Sequence, residues 1–187
     1  MRRYEESERL HREALDIIRT IGKRDIHYAT SLNNLANPLR AQGKYAEAEP
    51  LLRESLEVYT EMVGNEHPHY ASALNNLAGL YVLMEEYEEA EPLYREALEI
   101  CSRAFGREHP DYASTLTNLG LLYDKMGNKD SAEECYTEAL ELRSRVYGES
   151  HPRYIGLAKL LISFYEKTDR GGKATALRER IGGNAAE

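Results

Sequence analysis

Apolar positions recur along the chain at three- and four-residue intervals, which is the spacing of one face of an α-helix. In residues 68–84 and 86–104 this spacing is regular, and a predicted turn separates the two segments. The whole pattern then returns 42 residues later. His-Pro pairs mark the recurrence at His67-Pro68, His109-Pro110 and His151-Pro152. The pattern predicts an array of helix pairs with no strands.

We call the first helix of each pair helix A and the second helix B. Helices A are predicted at about residues 26–42, 68–84, 110–126 and 152–168. Helices B are predicted at about residues 3–21, 44–62, 86–104, 128–146 and 170–181. These give a half repeat at 3–21 and repeats at about 25–66, 67–108, 109–150 and 151–181. We expect one array over residues 1–181 and a disordered tail at 182–187.

The repeat resembles a known family in its residues as well as its period. Asn-Leu-Ala-Gly-Leu-Tyr at 76–81, then Tyr87, Tyr94 and Ala97-Leu98, resembles the tetratricopeptide repeat (TPR). That repeat usually spans about 34 residues, whereas a 42-residue period with Gly-x-x-His-Pro is similar to kinesin light chains and their bacterial relatives. The resemblance implies an all-α, right-handed α-solenoid whose helices A line a concave groove. It also implies a scaffold for protein–protein interaction rather than an enzyme.

Polar residues recur on the arc of helix A that faces away from helix B. Asparagine is a poor helix former, so its recurrence in mid-helix needs a reason. Its amide both donates and accepts hydrogen bonds, and could hold the backbone of an extended or short helical peptide. The expected peptide-binding residues are Asn33, Asn34, Asn75, Asn76, Asn118, Arg40, Leu83, Lys125 and Lys159. The alternative is that each asparagine bonds a neighbouring helix or its own backbone.

Other candidate chemistry is weaker. The three histidines of the His-Pro pairs lie one repeat apart, which suits turn and cap residues better than converging metal ligands. There is no Gly-rich phosphate loop, zinc-protease motif or serine elbow, so we predict no catalytic residue, metal or cofactor. The repeat register predicts that Cys135 is buried in the core and that Cys101 is partly exposed.

Composition limits the partners. The net charge is −8 and the pI about 5.4, which disfavours nucleic acid because binding needs a basic face. No long apolar run predicts a membrane span, and the charged start is unlike a secretory signal. Two cysteines build no disulfide framework, so we expect a cytoplasmic protein.

The first predicted helix has no A partner before it, although it carries Leu10, Ala14, Leu15, Ile17 and Ile18. Its apolar stripe would be partly uncovered. This leaves a second possibility open: a structural homo-oligomer formed through the N-terminal helix, or a sensor segment of a larger signalling protein.

Overall fold

A computed structural model describes residues 2–183, and the side chains of residues 4–182. Over these residues it forms nine α-helices and no strand. The helices are α1 (Arg2–Ile21), α2 (Ile26–Ala41), α3 (Tyr45–Val63), α4 (Pro68–Met84), α5 (Tyr87–Phe105), α6 (Pro110–Lys125), α7 (Lys129–Tyr147), α8 (Pro152–Lys167) and α9 (Gly171–Gly183). Each predicted helix is present, with ends shifted by at most two residues. The predicted all-α class is therefore confirmed.

The chain divides into two compact units, the first up to Ala104 and the second from Phe105. In the first unit α2 packs against both α1 and α3, and α3 also packs against α4. In the second unit α7 packs against α6 and α8, and α8 packs against α9. Within each unit a helix B is thus shared between its own helix A and the next, as stacking of helix pairs requires.

Leucine and alanine fill the interface between α2 and α3. Leu32, Leu35 and Leu39 on α2 and Leu52 on α3 are at most 1% exposed. Burying one such side chain contributes about 1.5–3 kcal/mol relative to leaving it in water. This interface keeps α2 and α3, the helix A and helix B of the first repeat, packed against each other.

The His-Pro pairs start three of the A helices, as the sequence predicts. His67, His109 and His151 are the N-cap residues, and each Nδ1 accepts a hydrogen bond from the backbone N–H two residues later. The proline that follows occupies the first turn, where a missing N–H costs little. The histidines are therefore capping residues, and within residues 2–183 no group of metal-ligating side chains converges.

The prediction for the two cysteines was wrong. Cys101 is buried and Cys135 is only half-buried. Cys135 shares its register with Leu51 and Leu93, and both leucines are also half-buried. Cys101 shares its register with Tyr59, which is 3% exposed. The error lay in assuming that the register of Leu51 and Leu93 is core, and in following Arg143, the other register mate of Cys101, which is half-buried.

At the C-terminal end α9 continues through Gly183. The predicted tail at 182–187 therefore begins inside this helix, and residues 184–187 lie outside the described part of the chain. None of the described helices combines the length and apolar character that crossing a bilayer requires.

Candidate functional site

In the first unit, two asparagines join three helices through one chain of hydrogen bonds. Asn33 on α2 donates from Nδ2 to Ser55 Oγ on α3 at 2.5 Å. Ser55 in turn donates to the carbonyl of Ala29 at 2.9 Å. Asn76 on α4 donates from Nδ2 to Asn33 Oδ1 at 3.2 Å. The chain of bonds fixes neighbouring A helices to each other and to the helix B between them.

These hydrogen bonds distinguish Asn33 from Asn34, two adjacent residues for which the sequence predicts the same role. Asn33 is 7% exposed and has its amide occupied on both sides. Asn34, the next residue on α2, is exposed. Asn75 and Asn76 on α4 are half-buried. The alternative of bonding to a neighbouring helix therefore describes Asn33 and also the amide of Asn76, while Asn34 faces solvent.

Arg40 lies beside this network at the end of α2. Its Nη1 donates to the backbone carbonyl of Asn76 at 3.0 Å. Its Nε is buried and has no hydrogen-bond partner in the described part of the chain. Burial lowers the pKa of Arg40, and the nearby hydroxyls of Tyr94 and Tyr45 partly oppose this. No salt bridge to Arg40 occurs among residues 4–182, so its charge lacks a carboxylate partner there.

Gly79 on α4 makes room for this guanidinium. A Cβ at position 79 would lie 3.3 Å from Arg40 Nη1 and 3.4 Å from the hydroxyl of Tyr94. Burial raises the pKa of Tyr94 to about 12, although the positive charge of Arg40 acts in the opposite direction. An isolated glycine inside a helical pattern is a sequence signal for a close approach of this kind, and the sequence-based prediction missed it.

Beyond Arg40 the surface of the two A helices is neutral. Neither α2 nor α4 contains an Asp or a Glu. Leu83, 43% exposed, and Ala41 lie at the ends of these helices in the same repeat register. The first unit therefore presents exposed amide and aliphatic side chains around one half-buried cation.

In the second unit, a different residue occupies one of the positions that asparagine occupies in the first unit. Thr117 on α6 occupies the register of Asn33 and is likewise buried. Its hydroxyl donates to the carbonyl of Ala113 at 2.8 Å and accepts from Arg143 Nη2 of α7 at 3.2 Å. Asn118 is half-buried. The link between helix A and helix B is thus kept with different side chains.

Two predicted cations of the second unit lie on its surface. Lys125 on α6 and Lys159 on α8 are exposed. Neither lysine is in a salt bridge with another residue of the described range. Lys167 shares the register of Lys125 and is also exposed. The position that is aliphatic in the first unit is therefore cationic in the second.

The side chains described above supply hydrogen bonds and charge. The histidine nitrogens named above serve as caps, and neither cysteine is in a disulfide. The polar groups of the A helices are amides, hydroxyls and cations, which hold a chain through hydrogen bonds and charge. Chemically, this set suits binding.

Comparison with known proteins gives the family. A model described as a tetratricopeptide repeat matches residues 1–61, 28–103 and 69–145. No curated protein matches the chain.

Solved structures give the fold. BtubC (BKLC) of P. vanneervenii is 23% identical with a TM-score of 0.82, covering 95% of this chain and 72% of its own. The TPR-like repeats of a kinesin light chain-type protein of Podosopora anserina are 21% identical with a TM-score of 0.77, covering 98% of this chain and 87% of theirs. A second crystal structure of those repeats, of a variant, is 20% identical with a TM-score of 0.78, covering 96% and 85%. At this identity the likeness concerns the α-solenoid fold alone.

Proposed function

Because the chain belongs to the tetratricopeptide repeat family, whose members generally mediate protein–protein interaction and are typically non-catalytic, we propose that it is a scaffold that binds a peptide along its A helices. The peptide is extended or a short helix. The observation that carries the proposal is the set of amides on α2 and α4, exposed at Asn34 and half-buried at Asn75 and Asn76, with the exposed aliphatic Leu83 nearby in sequence and the Asn33–Asn76 hydrogen bond joining the two helices. A fixed amide row offers hydrogen bonds to a peptide backbone of any sequence.

The proposed contacts divide between the two units. In the first unit we assign peptide contact to Asn34, Asn75, Asn76 and Leu83, with Arg40 as the site for an acidic group. In the second unit we assign contact to Asn118 and to the exposed Lys125 and Lys159. Asn33 receives a positioning role, because its amide is buried and already bonded.

The charges on α2 and α4 favour the binding of an acidic or neutral peptide to the first unit. A guanidinium that is partly desolvated without a carboxylate nearby is costly, and a carboxylate from a ligand offsets that cost. Arg40 is in this situation, and α2 and α4 bring no acidic side chain that would repel such a ligand. Neither cysteine is in a disulfide, which is consistent with a reducing compartment, so we propose a cytoplasmic location.

The test is a selection from a library of random short peptides on the immobilised chain, followed by affinity measurements with variants. Leu83→Asp is expected to weaken binding of selected peptides by about tenfold or more. Met62→Asp is the matched control, because Met62 is exposed to a similar degree, 47%, but lies on helix B α3. Equal affinities for both variants, or a selection that yields no peptide, would contradict the proposal.

Self-association through α1 and a sensor role in a longer signalling protein stay predictions. Sedimentation of the chain over a concentration series separates the first from a monomeric scaffold.

A further inference from the structure

Two arginines come together in the second unit, where the end of α7 lies beside the start of α8. Arg143 on α7 donates from Nη1 to the backbone carbonyl of Arg153 on α8 at 3.0 Å. The Arg153 side chain donates from Nη1 to the hydroxyl of Tyr147 at 2.9 Å. Burial lowers the pKa of Arg143, and the positive charge of Arg153 lowers it further, while Tyr147 partly opposes both. Two like charges are therefore close enough to repel each other.

No carboxylate of the described chain neutralises either charge. Among residues 4–182, neither Arg143 nor Arg153 is in a salt bridge. The first turn of α8, which carries Arg153, contains no acidic residue. A half-buried guanidinium without a counter-charge is costly, and a second cation beside it adds to the cost.

Repeat register shows that packing does not require these two charges. Tyr59 is the register mate of Arg143, and His69 is the register mate of Arg153. In the first unit those two rings stack, with their centroids 5.6 Å apart. Aromatic rings are thus sufficient for the contact between helix B and the next helix A. The pair of cations in the second unit needs a different explanation.

The groups around the two arginines can still donate hydrogen bonds. Arg143 uses Nη2 for Thr117 on α6, which leaves other guanidinium N–H groups of the pair without an acceptor. The hydroxyl of Tyr147 accepts from Arg153, and among residues 4–182 its own proton has no acceptor. Arg153 is exposed and Arg143 is half-buried, so solvent reaches the pair. The positive end of the α8 dipole adds to the attraction for an anion.

We infer that Arg143 and Arg153 form a binding site for a phosphomonoester dianion. At neutral pH such a group carries about two negative charges and three acceptor oxygens, so one group neutralises both cations. A single carboxylate would leave one guanidinium unpaired. Guanidinium and phosphate also form bidentate, charge-assisted hydrogen bonds. The site uses none of the residues assigned to peptide contact, so the inference does not depend on the proposed function.

Phenyl phosphate is the probe, titrated into the full chain and followed by the NMR signals of the arginine Nε–H groups. Saturable shifts of the Arg143 and Arg153 signals are expected, with a Kd of about 1 mM or tighter. Arg153→Gln is expected to weaken binding by about tenfold or more, because one charge-assisted partner is lost. Arg145→Gln is the matched control, since Arg145 is exposed on the same helix and pairs with Glu108 at 3.8 Å. Its affinity is expected to stay unchanged.

A double variant keeps the test valid if a single substitution disturbs the fold. Arg143→Tyr combined with Arg153→His supplies the pair of rings that stacks in the first unit. This variant should fold, as circular dichroism melting can check, and should not bind the probe. Phenyl phosphate at about ten times its Kd should raise the Tm of the unaltered chain and of Arg145→Gln, but not the Tm of the double variant.

Two further probes separate the sources of the phosphate. A short peptide with one phosphoserine that binds more tightly than phenyl phosphate would indicate a phosphorylated segment of a protein, and a weaker one a phosphorylated small molecule. The inference is overturned if phenyl phosphate binds more weakly than about 10 mM, or if benzoate binds as tightly. It is also overturned if Arg145→Gln weakens binding as much as Arg153→Gln, since general surface charge would then explain the effect.

Discussion

The side-chain amide of Asn76 donates a 3.2 Å hydrogen bond to the side-chain oxygen of Asn33 on the neighbouring helix A. Asn33 passes the connection on to Ser55 of α3 at 2.5 Å. The bond joins two positions that are not register mates, since Asn33 corresponds to Asn75 and Asn76 corresponds to Asn34. The bond therefore runs from the second asparagine of the pair on α4 to the first asparagine of the pair on α2. Asn33 is buried, whereas Asn76 is half-buried.

Removing the buried amide is expected to cost stability. Asn33→Ala leaves the Asn76 amide without its acceptor and should lower the free energy of unfolding by about 1–3 kcal/mol. Asn34→Ala, one residue along on the same helix, should change it by less than about 0.5 kcal/mol because Asn34 is exposed. Urea denaturation of both variants makes the comparison. Equal losses would mean that the hydrogen bond contributes nothing.

Much of the fold could be predicted from the sequence because its period is simple. The recurrence of His-Pro and of apolar spacing determines where each helix begins and which face is buried, and the helices lie where expected. The roles of Asn33 and Asn34 could not be separated, because the pattern of one helix placed both on the arc away from helix B, whereas the bonds of Asn33 to Ser55 and Asn76 are contacts between helices. The partnerless guanidinium Nε of Arg40 also depends on contacts between helices that no single-helix pattern contains.

The N-cap histidines give a prediction about local stability. His151 Nδ1 accepts from the Arg153 N–H at 3.1 Å, and its ring stacks on Tyr147 with centroids 4.7 Å apart. His151→Ala removes both contacts and should destabilise the second unit by about 1–2 kcal/mol. His151→Asn keeps a capping acceptor and should recover part of the loss. Thermal melts of the two variants measure this, and identical melts would show that the cap is unimportant.

Two glycines inside A helices should respond oppositely to alanine. A Cβ at Gly120 would lie 2.8 Å from the ring of Tyr136, which is completely buried and cannot retreat. Overpacking of this kind costs about 1–3 kcal/mol, against a gain of about 1 kcal/mol in helix propensity. Gly120→Ala should therefore be neutral to destabilising.

At Gly79 the nearest atoms are the ends of Arg40 and Tyr94, at 3.3 and 3.4 Å. The Arg40 side chain is flexible, so the propensity gain should dominate and Gly79→Ala should be the more stable variant of the two. Chemical denaturation of both variants tests the order. A reversed order would mean that the Arg40 guanidinium is held too firmly to move.

Glu8 makes the packing of α1 dependent on pH. Its carboxylate accepts from Lys44 and Gln42 at 2.8 Å and from Arg12 at 2.9 Å. The bond from Lys44 is the largest cause that lowers the pKa of Glu8 from 4.5 to about 2, while burial opposes it. Because the folded pKa lies below the unfolded value, the stabilisation is complete above about pH 4.5 and is lost as the pH falls toward 2.

The expected contribution at neutral pH is about 1–2 kcal/mol, since Lys44 and Arg12 are partly exposed and solvent screens their charges. Urea denaturation of the unaltered chain between about pH 6 and about pH 3 should show stability falling with pH. Glu8→Gln removes the titrating group and should be less stable at the upper end of this range, with a shallower slope below it. If the slope is the same in the variant, other carboxylates control the acid transition and the three bonds to Glu8 do not stabilise α1 against the turn between α2 and α3.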